Sequence, residues 1–343
     1  MSQVIHLKEV KNDFSTNIEK LLNLCKIDIE EINRLIIEKL DSSVPLIREM
    51  ASYVLLSGGK RLRPLLTVTC AKMSGYGFNN KEKRHIGLAT AVEFIHTATL
   101  MHDDVVDESG LRRGKLSSNE VWGNKTSVLV GDFLLSRAFQ LMAKDKSEKI
   151  MKLLSDTSVT ISEGEILELV NEKDLTISED TYFKVINGKT ASLFSAACQV
   201  GGLVANLDKN QEEALKTFGT NFGISFQLVD DVLDYSSSVK NLGKNIGDDF
   251  KEGKITLPVI LAYLRSNKDE KGFWNRTIKD LNQKNDDLFK SIKLINKYNC
   301  IQDTIKRAEH FANIAHDSLG VFENNEYKSS LLNLVKSSLN RLN

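Results

Sequence analysis

Residues 88–107 read LATAVEFIHTATLMHDDVVD, and this stretch decides the fold class. From Gly87 to Met101 the only charged side chain, with histidine neutral, is Glu93. A helix that is apolar nearly all round belongs at the centre of a bundle. The stretch then ends abruptly in three carboxylates, Asp103, Asp104 and Asp107. Asp103 and Asp107 are four residues apart, so on a helix they point the same way, roughly 6 Å apart along the axis. Like charges at that spacing weaken a helix, so something cationic must offset them. Hard oxygen ligands favour magnesium, with phosphate oxygens completing its octahedron. The pattern DDxxD recurs at Asp230, Asp231 and Asp234, again after an apolar run.

Elsewhere the periodicity is helical too. The chain has only three prolines in 343 residues and little strand-like alternation. Ile29, Ile32, Leu35, Ile36 and Leu40 form one stripe, with Asp28 and Glu31 resembling an N-cap box. Val128–Met142, Val159–Val170, Tyr182–Val204, Gln211–Tyr235 and Pro258–Leu264 are expected to be helices. The expected architecture is therefore all-α: one helical bundle around a central cavity, a single domain over 1–343. Its core motifs span 45–264, preceded by a helical segment 1–44 and followed by C-terminal helices over 265–343. Residues 236–255 read as a loop rich in Gly, Ser and Lys. Residues 266–287 read as a polar surface connection.

Lys and Arg total 46, as do Asp and Glu, so no global field steers the chain to nucleic acid or acidic lipid. Four scattered cysteines without CxxC spacing argue for buried thiols in a reducing compartment. No signal or transit peptide and no membrane span is evident, and the expectation is a cytoplasmic protein.

Cations lie where an anion bridged by metal to the acidic clusters would need them. Residues 58–64, GGKRLRP, place Lys60, Arg61 and Arg63 behind two glycines that let backbone approach a phosphate. Arg112, Arg113 and Lys115 follow the first acidic cluster, and Lys244, Asp248, Asp249 and Lys254 follow the second. Gly188-Lys189-Thr190 is not a P-loop, because Phe183 stands where its first glycine is required. Lys189 and Thr190 instead fall in an expected helix, facing the cavity, and Gln227 lies one turn before Asp230. His96, two turns before Asp103, is as much a candidate phosphate ligand as a core histidine, and His102 reads as structural.

Taken together, GGKRLRP (58–64), EFIHTATLMHDDVVD (93–107), ESGLRRGK (108–115), Gly131-Asp132-Phe133, Gly188-Lys189-Thr190 and FQLVDDVLD (226–234) resemble the trans-isoprenyl diphosphate synthases. The likeness is greatest to the bacterial long-chain, octaprenyl-type members. It implies repeated 1'-4 condensation of isopentenyl diphosphate onto an allylic diphosphate such as farnesyl diphosphate, in a homodimer, for quinone side chains. It also implies residue roles. Asp103, Asp104, Asp107, Asp230, Asp231 and Asp234 would hold magnesium on the allylic diphosphate, clamped by Arg112 and Lys244. Lys60, Arg63, His96 and Arg113 would bind isopentenyl diphosphate, and Lys189, Thr190 and Gln227 would line the reacting end. The growing tail would run back along the central helix past Ala98 and Thr99, with Phe139 and Met142 as a deeper floor. Small Ala98 favours a long product, released with transient membrane contact. The alternatives are a shorter-chain synthase, a terpene cyclase, which would need no basic cluster at GGKRLRP, and a non-catalytic partner subunit, which typically lacks one acidic motif.

Overall fold

The first two helices come from the segment that precedes every motif. A computed structural model describes residues 7–56, 58–77, 83–236 and 247–342, with side chains from 13 to 341 among them; Lys244 and the rest of 237–246 lie outside the described residues. Helix α1 (Leu7–Leu24) buries Phe14, Ile18 and Leu21, and α2 (Lys26–Lys39) buries Ile29, Ile32 and Ile36. The expected N-cap box at Asp28 and Glu31 does not form. Helix α2 starts earlier, and the buried Asp28 accepts hydrogen bonds from His85 Nε2 at 2.8 Å and Lys72 Nζ at 3.0 Å. Donors from two other helices, the Lys72 ammonium and the His85 ring, outcompete the local backbone, because a bond that involves an ionised group is about twice as strong as a neutral one.

Helix α3 (Pro45–Leu56) opens with proline, whose missing N–H costs nothing at a helix start. Helix α4 (Leu62–Met73) follows the glycine loop, and α5 (Arg84–Val106) is the central helix. Nearly every residue of α5 from His85 to Ala98 is buried. Its interior threonines are satisfied within the helix: Thr90 donates to the Ile86 carbonyl at 2.9 Å and Thr97 to that of Glu93 at 2.8 Å. A two-strand hairpin, β1 (Leu111–Arg112) with β2 (Lys115–Leu116), turns the chain just past the acidic end of α5. Its turn residues Arg113 and Gly114 both have positive φ, 53° and 75°, as a tight hairpin of this hand requires.

After the short α6 (Ser118–Trp122), α7 (Asn124–Asp145) packs along α5, and α8 (Glu148–Val170) follows it. The expected helix Tyr182–Val204 is interrupted: α9 (Glu179–Ile186) and α10 (Ser192–Val204) are joined by a π-helical turn, Asn187–Ala191. The turn rests on α8 glycine to glycine, for a Cβ on Gly188 would lie 2.9 Å from the Gly164 Cα. Helix α11 (Lys209–Asp234) carries the second acidic cluster at its end. Helix α12 (Asp248–Glu252) occupies part of the expected 236–255 loop, and α13 (Leu257–Arg265) follows.

The expected surface connection at 266–287 is structured. Helix α14 (Lys268–Trp274), started by a capping box at Asn267 and Glu270, continues into a second π-helical turn, Asn275–Lys279. It buries Phe273, Trp274, Thr277 and Ile278, and the Trp274 Nε1 donates to Ser266 Oγ at 3.1 Å. Helices α15 (Asp287–Lys297), α16 (Cys300–Ser318) and α17 (Glu326–Leu339) complete the chain, α17 packing on α1.

Two apolar clusters result. One surrounds α5 with side chains of α1, α2, α4, α7, α10 and α17. The other gathers α13, α14, α15 and α16. Helix α11 enters both, through Phe218 and Phe222 in the first and Leu228 and Val229 in the second. Both acidic helix ends are thereby fixed by buried packing. Among the described residues no helix is long and apolar enough to cross a membrane. Replacing the fully buried Trp274 by alanine should cost about 3–5 kcal/mol in denaturant-induced unfolding. A cost below about 1 kcal/mol would show that α14 is a dispensable surface element.

Candidate active site

Each carboxylate at the end of α5 is met by a cation from a different element. Asp104, nearly fully buried, accepts from Arg112 of the hairpin, whose Nε and Nη2 both lie 2.6 Å from its Oδ1. The same guanidinium stands 3.6 Å from Asp103. Asp103 also accepts from Lys189 Nζ at 2.8 Å. Asp107 accepts from Lys254 Nζ at 2.9 Å. Burial alone would raise Asp103, but Lys189, Lys254 and Arg112 pull it below the usual carboxylate range. Burial outweighs Arg112 at Asp104, whose pKa is raised.

At the end of α11, Asp230 accepts from Arg341 Nη2 at 2.7 Å. Asp231 accepts from the Tyr182 hydroxyl and from Gln227 Nε2 at 2.8 Å. Asp234 accepts the backbone N–H groups of Asp248 and Asp249, both at 3.2 Å. Burial, with Asp249 as the next cause, pushes Asp231 up to about 8 and Asp234 up to about 7. Lys254 ties the two clusters together: its side chain holds Asp107 while its backbone N–H donates to the Asp249 carbonyl at 2.8 Å.

Lys189 and Thr190 stand on the π-helical turn. Besides Asp103, the Lys189 ammonium meets Glu165 at 2.8 Å and Glu168 at 2.6 Å, both from α8. Thr190 donates to Gln227 Oε1 at 3.1 Å, so these two side chains present their oxygens together. π-Turns inside helices occur frequently at functional sites, and here the turn delivers adjacent residues to one place.

The basic residues of GGKRLRP divide. Arg61 turns inward to Glu93 at 2.6 Å and the Leu55 carbonyl at 2.8 Å, a structural pairing. Lys60, Arg63 and Arg113, by contrast, pair with no carboxylate among the described residues. Lys60 lies over the Phe14 ring at 4.6 Å, and burial, then Arg341, lowers its pKa. Arg63 lies over Phe194 at 4.5 Å; its Nη1 is 3.0 Å from His96 Nε2 and its buried Nε has no partner. Burial brings Arg63 down to about 10. Burial and then Arg63 hold His96 well below its usual value, so its ring is neutral and accepts from Arg63. Arg113 folds onto the Gly58 carbonyl, and a Cβ on Gly59 would lie 2.6 Å from its guanidinium. Its φ of 130° requires a glycine at this second position, whereas the contact alone would only displace the flexible end of Arg113. Arg63 and Arg113, neither in an ion pair of its own and both only partly balanced by Glu93, stand beside a neutral histidine and can receive a multiply charged anion, while Lys60 lies near Arg341 and Asp230.

Of the tail-path residues, Ala98 and Met142 are buried, Thr99 is half-buried with its hydroxyl on the His96 carbonyl, and Phe139 is 42% exposed on the outer face of α7. Met142 therefore faces the subunit interior, and Phe139 does not. His102 donates from Nε2 to the Val128 carbonyl at 3.1 Å and so ties α5 to α7.

Five participants carry no local sequence signal. Phe14 and Arg341 come from opposite ends of the chain, the Arg341 guanidinium lying 5.2 Å from the Phe14 ring and 4.9 Å from that of Phe226. Tyr182, Glu165 and Glu168 look like ordinary helix residues. Lys254 had a signal, its place after the second cluster, but its partner Asp107 could not be read from it.

The motif donors suit a hard divalent cation, being all carboxylate oxygens. Among the described residues no three acidic, histidine or cysteine side chains converge as a preformed metal cage. Each carboxylate is turned instead to a protein cation, a hydroxyl or a backbone N–H. Burial, and then the neighbouring Asp249, disfavour the charged forms of Asp231 and Asp234, and a divalent ion bound there would offset both effects. Without metal, these groups hold a proton more tightly folded than unfolded, where the ordinary value is 3.8. Their contribution to stability is full below about pH 4 and is lost as pH rises through about 7 and 8. In chelator the thermal midpoint should therefore fall from pH 6 to 8.5, and Asp231→Asn should flatten the fall. A wild-type midpoint independent of pH there would contradict the assignment.

The polyprenyl synthetase family profile matches residues 44–295. The chain is 40% identical over 325 residues to the octaprenyl diphosphate synthases of Haemophilus influenzae and Escherichia coli, covering 95% of this chain and 97% and 99% of theirs. Its fold superposes on a decaprenyl diphosphate synthase from Rhodobacter capsulatus with a TM-score of 0.90 at 41% identity, over 95% of this chain and 99% of that one. A polyprenyl synthase from Caulobacter crescentus, solved with calcium and isoprenyl diphosphate, gives 0.89 at 42%, over 95% and 98%. The chain belongs to the polyprenyl synthetase family, as a prenyltransferase of its long-chain trans-prenyl synthase branch.

Proposed function

We propose that this protein catalyses magnesium-dependent, repeated 1'-4 condensation of isopentenyl diphosphate onto an allylic primer such as farnesyl diphosphate, stopping near the octaprenyl length. The observation that carries this reading is the pairing of two carboxylate clusters, at the ends of α5 and α11, with further cations, Lys60, Arg63 and Arg113, that make no ion pair among the described residues. The first arrangement suits a metal-bound diphosphate and the second a bare one, so two different diphosphates can be held at once.

Asp103, Asp107 and Asp230 would hold magnesium, with Asp104, Asp231 and Asp234 supporting them; bound there, the metal supplies charge neutralisation for the departing diphosphate. Arg112, Lys189 and Lys254 already stand at these carboxylates and would donate to the diphosphate oxygens as the allylic C1–O bond breaks and the oxygen takes the electron pair. Lys244 is a further candidate clamp. Thr190 and Gln227 present oxygens that favour the allylic cation. Lys60, Arg63, Arg113 and neutral His96 would fix isopentenyl diphosphate so that its double bond meets C1, forming the new carbon–carbon bond. The proton then lost from C2 of the isopentenyl unit passes to the released diphosphate. No side chain here is placed as a general base.

Buried Ala98 and Met142 support a tail path along α5, in which alanine leaves room for a long chain. Leu129 and Phe139 of α7 and Val159, Ile166, Leu169 and Val170 of α8 expose apolar side chains, which supports a homodimer joined through these helices. On this reading the chain is a single cytoplasmic domain, serving quinone side-chain synthesis, and its apolar product leaves through transient membrane contact.

Labelled isopentenyl diphosphate, farnesyl diphosphate and magnesium should give a chelator-sensitive ladder ending near eight isoprene units by reversed-phase sizing. A ladder ending at three or four units would overturn the length assignment alone, and no incorporation would overturn the function. Asp103→Asn should lower turnover by about two to three orders of magnitude. Ala98→Phe should shorten the product, and an unchanged length would remove α5 from the tail path.

A further inference from the structure

Lys189 stands among more carboxylates than one cation needs. An ammonium has three N–H donors and no acceptor. Here Asp103 lies 2.8 Å away, Glu165 2.8 Å and Glu168 2.6 Å, so three carboxylates from two helices match the three donors. The site is built for this meeting. Gly164 directly precedes Glu165, and a Cβ there would lie 2.6 Å from the Lys189 backbone nitrogen, so glycine alone lets α8 approach the π-helical turn this closely. The ammonium is largely enclosed, its side chain 21% exposed.

The three partners differ in what else they can do. Asp103 belongs to the acidic cluster and is the partner with an alternative use. Glu165 and Glu168 make no ion pair except with Lys189 among the described residues. We infer that Glu165 and Glu168 are positioning residues for Lys189: they keep its ammonium at the reaction centre when Asp103 turns to the divalent cation, freeing one N–H for an oxygen of the allylic diphosphate. This rests on the function proposed above. With only Asp103 as partner, Lys189 would either lock that carboxylate away from the cation or swing free when it left. Two further carboxylates remove the conflict, because the lysine stays anchored whichever way Asp103 points.

The test is a double-mutant cycle read by calorimetry, with manganese and inorganic diphosphate as probes and the full-length protein throughout. Glu168→Gln should weaken diphosphate binding in the presence of manganese by about tenfold, as should Lys189→Gln, while the combination weakens it no further than Lys189→Gln alone. Glu165→Gln supplies the same cycle independently, and thermal unfolding of each variant confirms that it is folded. The half-saturating concentration of isopentenyl diphosphate, set by Lys60, Arg63 and Arg113, should not move in Glu168→Gln. Two results would overturn the inference. If Glu168→Gln weakens binding equally with Lys189 absent, the carboxylate acts directly on the metal or through its field. If it leaves binding unchanged, Glu168 does not hold the lysine. Failure of the wild type to incorporate isopentenyl diphosphate would instead count against the proposed function, a separate observation from the binding cycle.

Discussion

Mutual repulsion among carboxylates crowded at the ends of two helices is the constraint around which this molecule is organised. Asp103, Asp104 and Asp107 close α5, while Asp230, Asp231 and Asp234 close α11. Such groups stay together only where packing prevents the helix ends from fraying and cations screen the charge. Both conditions are met from far away in sequence. Helix α5 is buried through most of its length, and α11 is anchored in both apolar clusters. The cations arrive on a hairpin, on a π-turn, after α12 and on the C-terminal turn, as Arg112, Lys189, Lys254 and Arg341. Even so the compensation is incomplete: burial first, and the neighbouring Asp249 next, raise the proton affinity of Asp231 and Asp234.

On the proposed function, the distribution of the remaining cations is what would let the site tell two diphosphates apart. Those at the acidic clusters already share their charge with carboxylates, so a bare diphosphate gains little there without metal. Lys60, Arg63 and Arg113 are desolvated, make no ion pair among the described residues and lean on aromatic rings or carbonyls, so an anion that reaches them meets donors not already held by a carboxylate. Holding His96 neutral contributes: a second cation beside Arg63 would raise the cost of the empty site, whereas a neutral ring accepts its N–H.

What could be read from the sequence was whatever is local. The long apolar run through residues 88–101, the four-residue spacing of Asp103 and Asp107, and the glycines before Lys60 are each set by neighbours a few positions away. Their readings as central helix, helix-end acidic cluster and cationic loop agree with the fold. Partners across the fold were not legible. Asp28 looked like a cap because the donors that claim it, Lys72 and His85, lie more than forty residues downstream. Residues 266–287 looked solvated because the apolar residues that anchor them, Phe273, Trp274 and Ile278, are few among polar ones. The π-turn was hidden inside what scanned as one helix, since the close approach to Gly164 of α8 that accompanies it is made across the fold. Arg341 could not be connected to Asp230 from sequence, the two being 111 positions apart.

The proposed function joins the two acidic clusters into one divalent-cation and diphosphate site. The most direct measurement is manganese binding, followed by electron paramagnetic resonance with and without inorganic diphosphate, in the wild type, Asp103→Asn and Asp230→Asn. Diphosphate should promote manganese binding in the wild type, and either single substitution, on either helix, should abolish that enhancement. Retention of the full enhancement after loss of Asp230 would mean that the α5 cluster binds alone and would contradict a shared site.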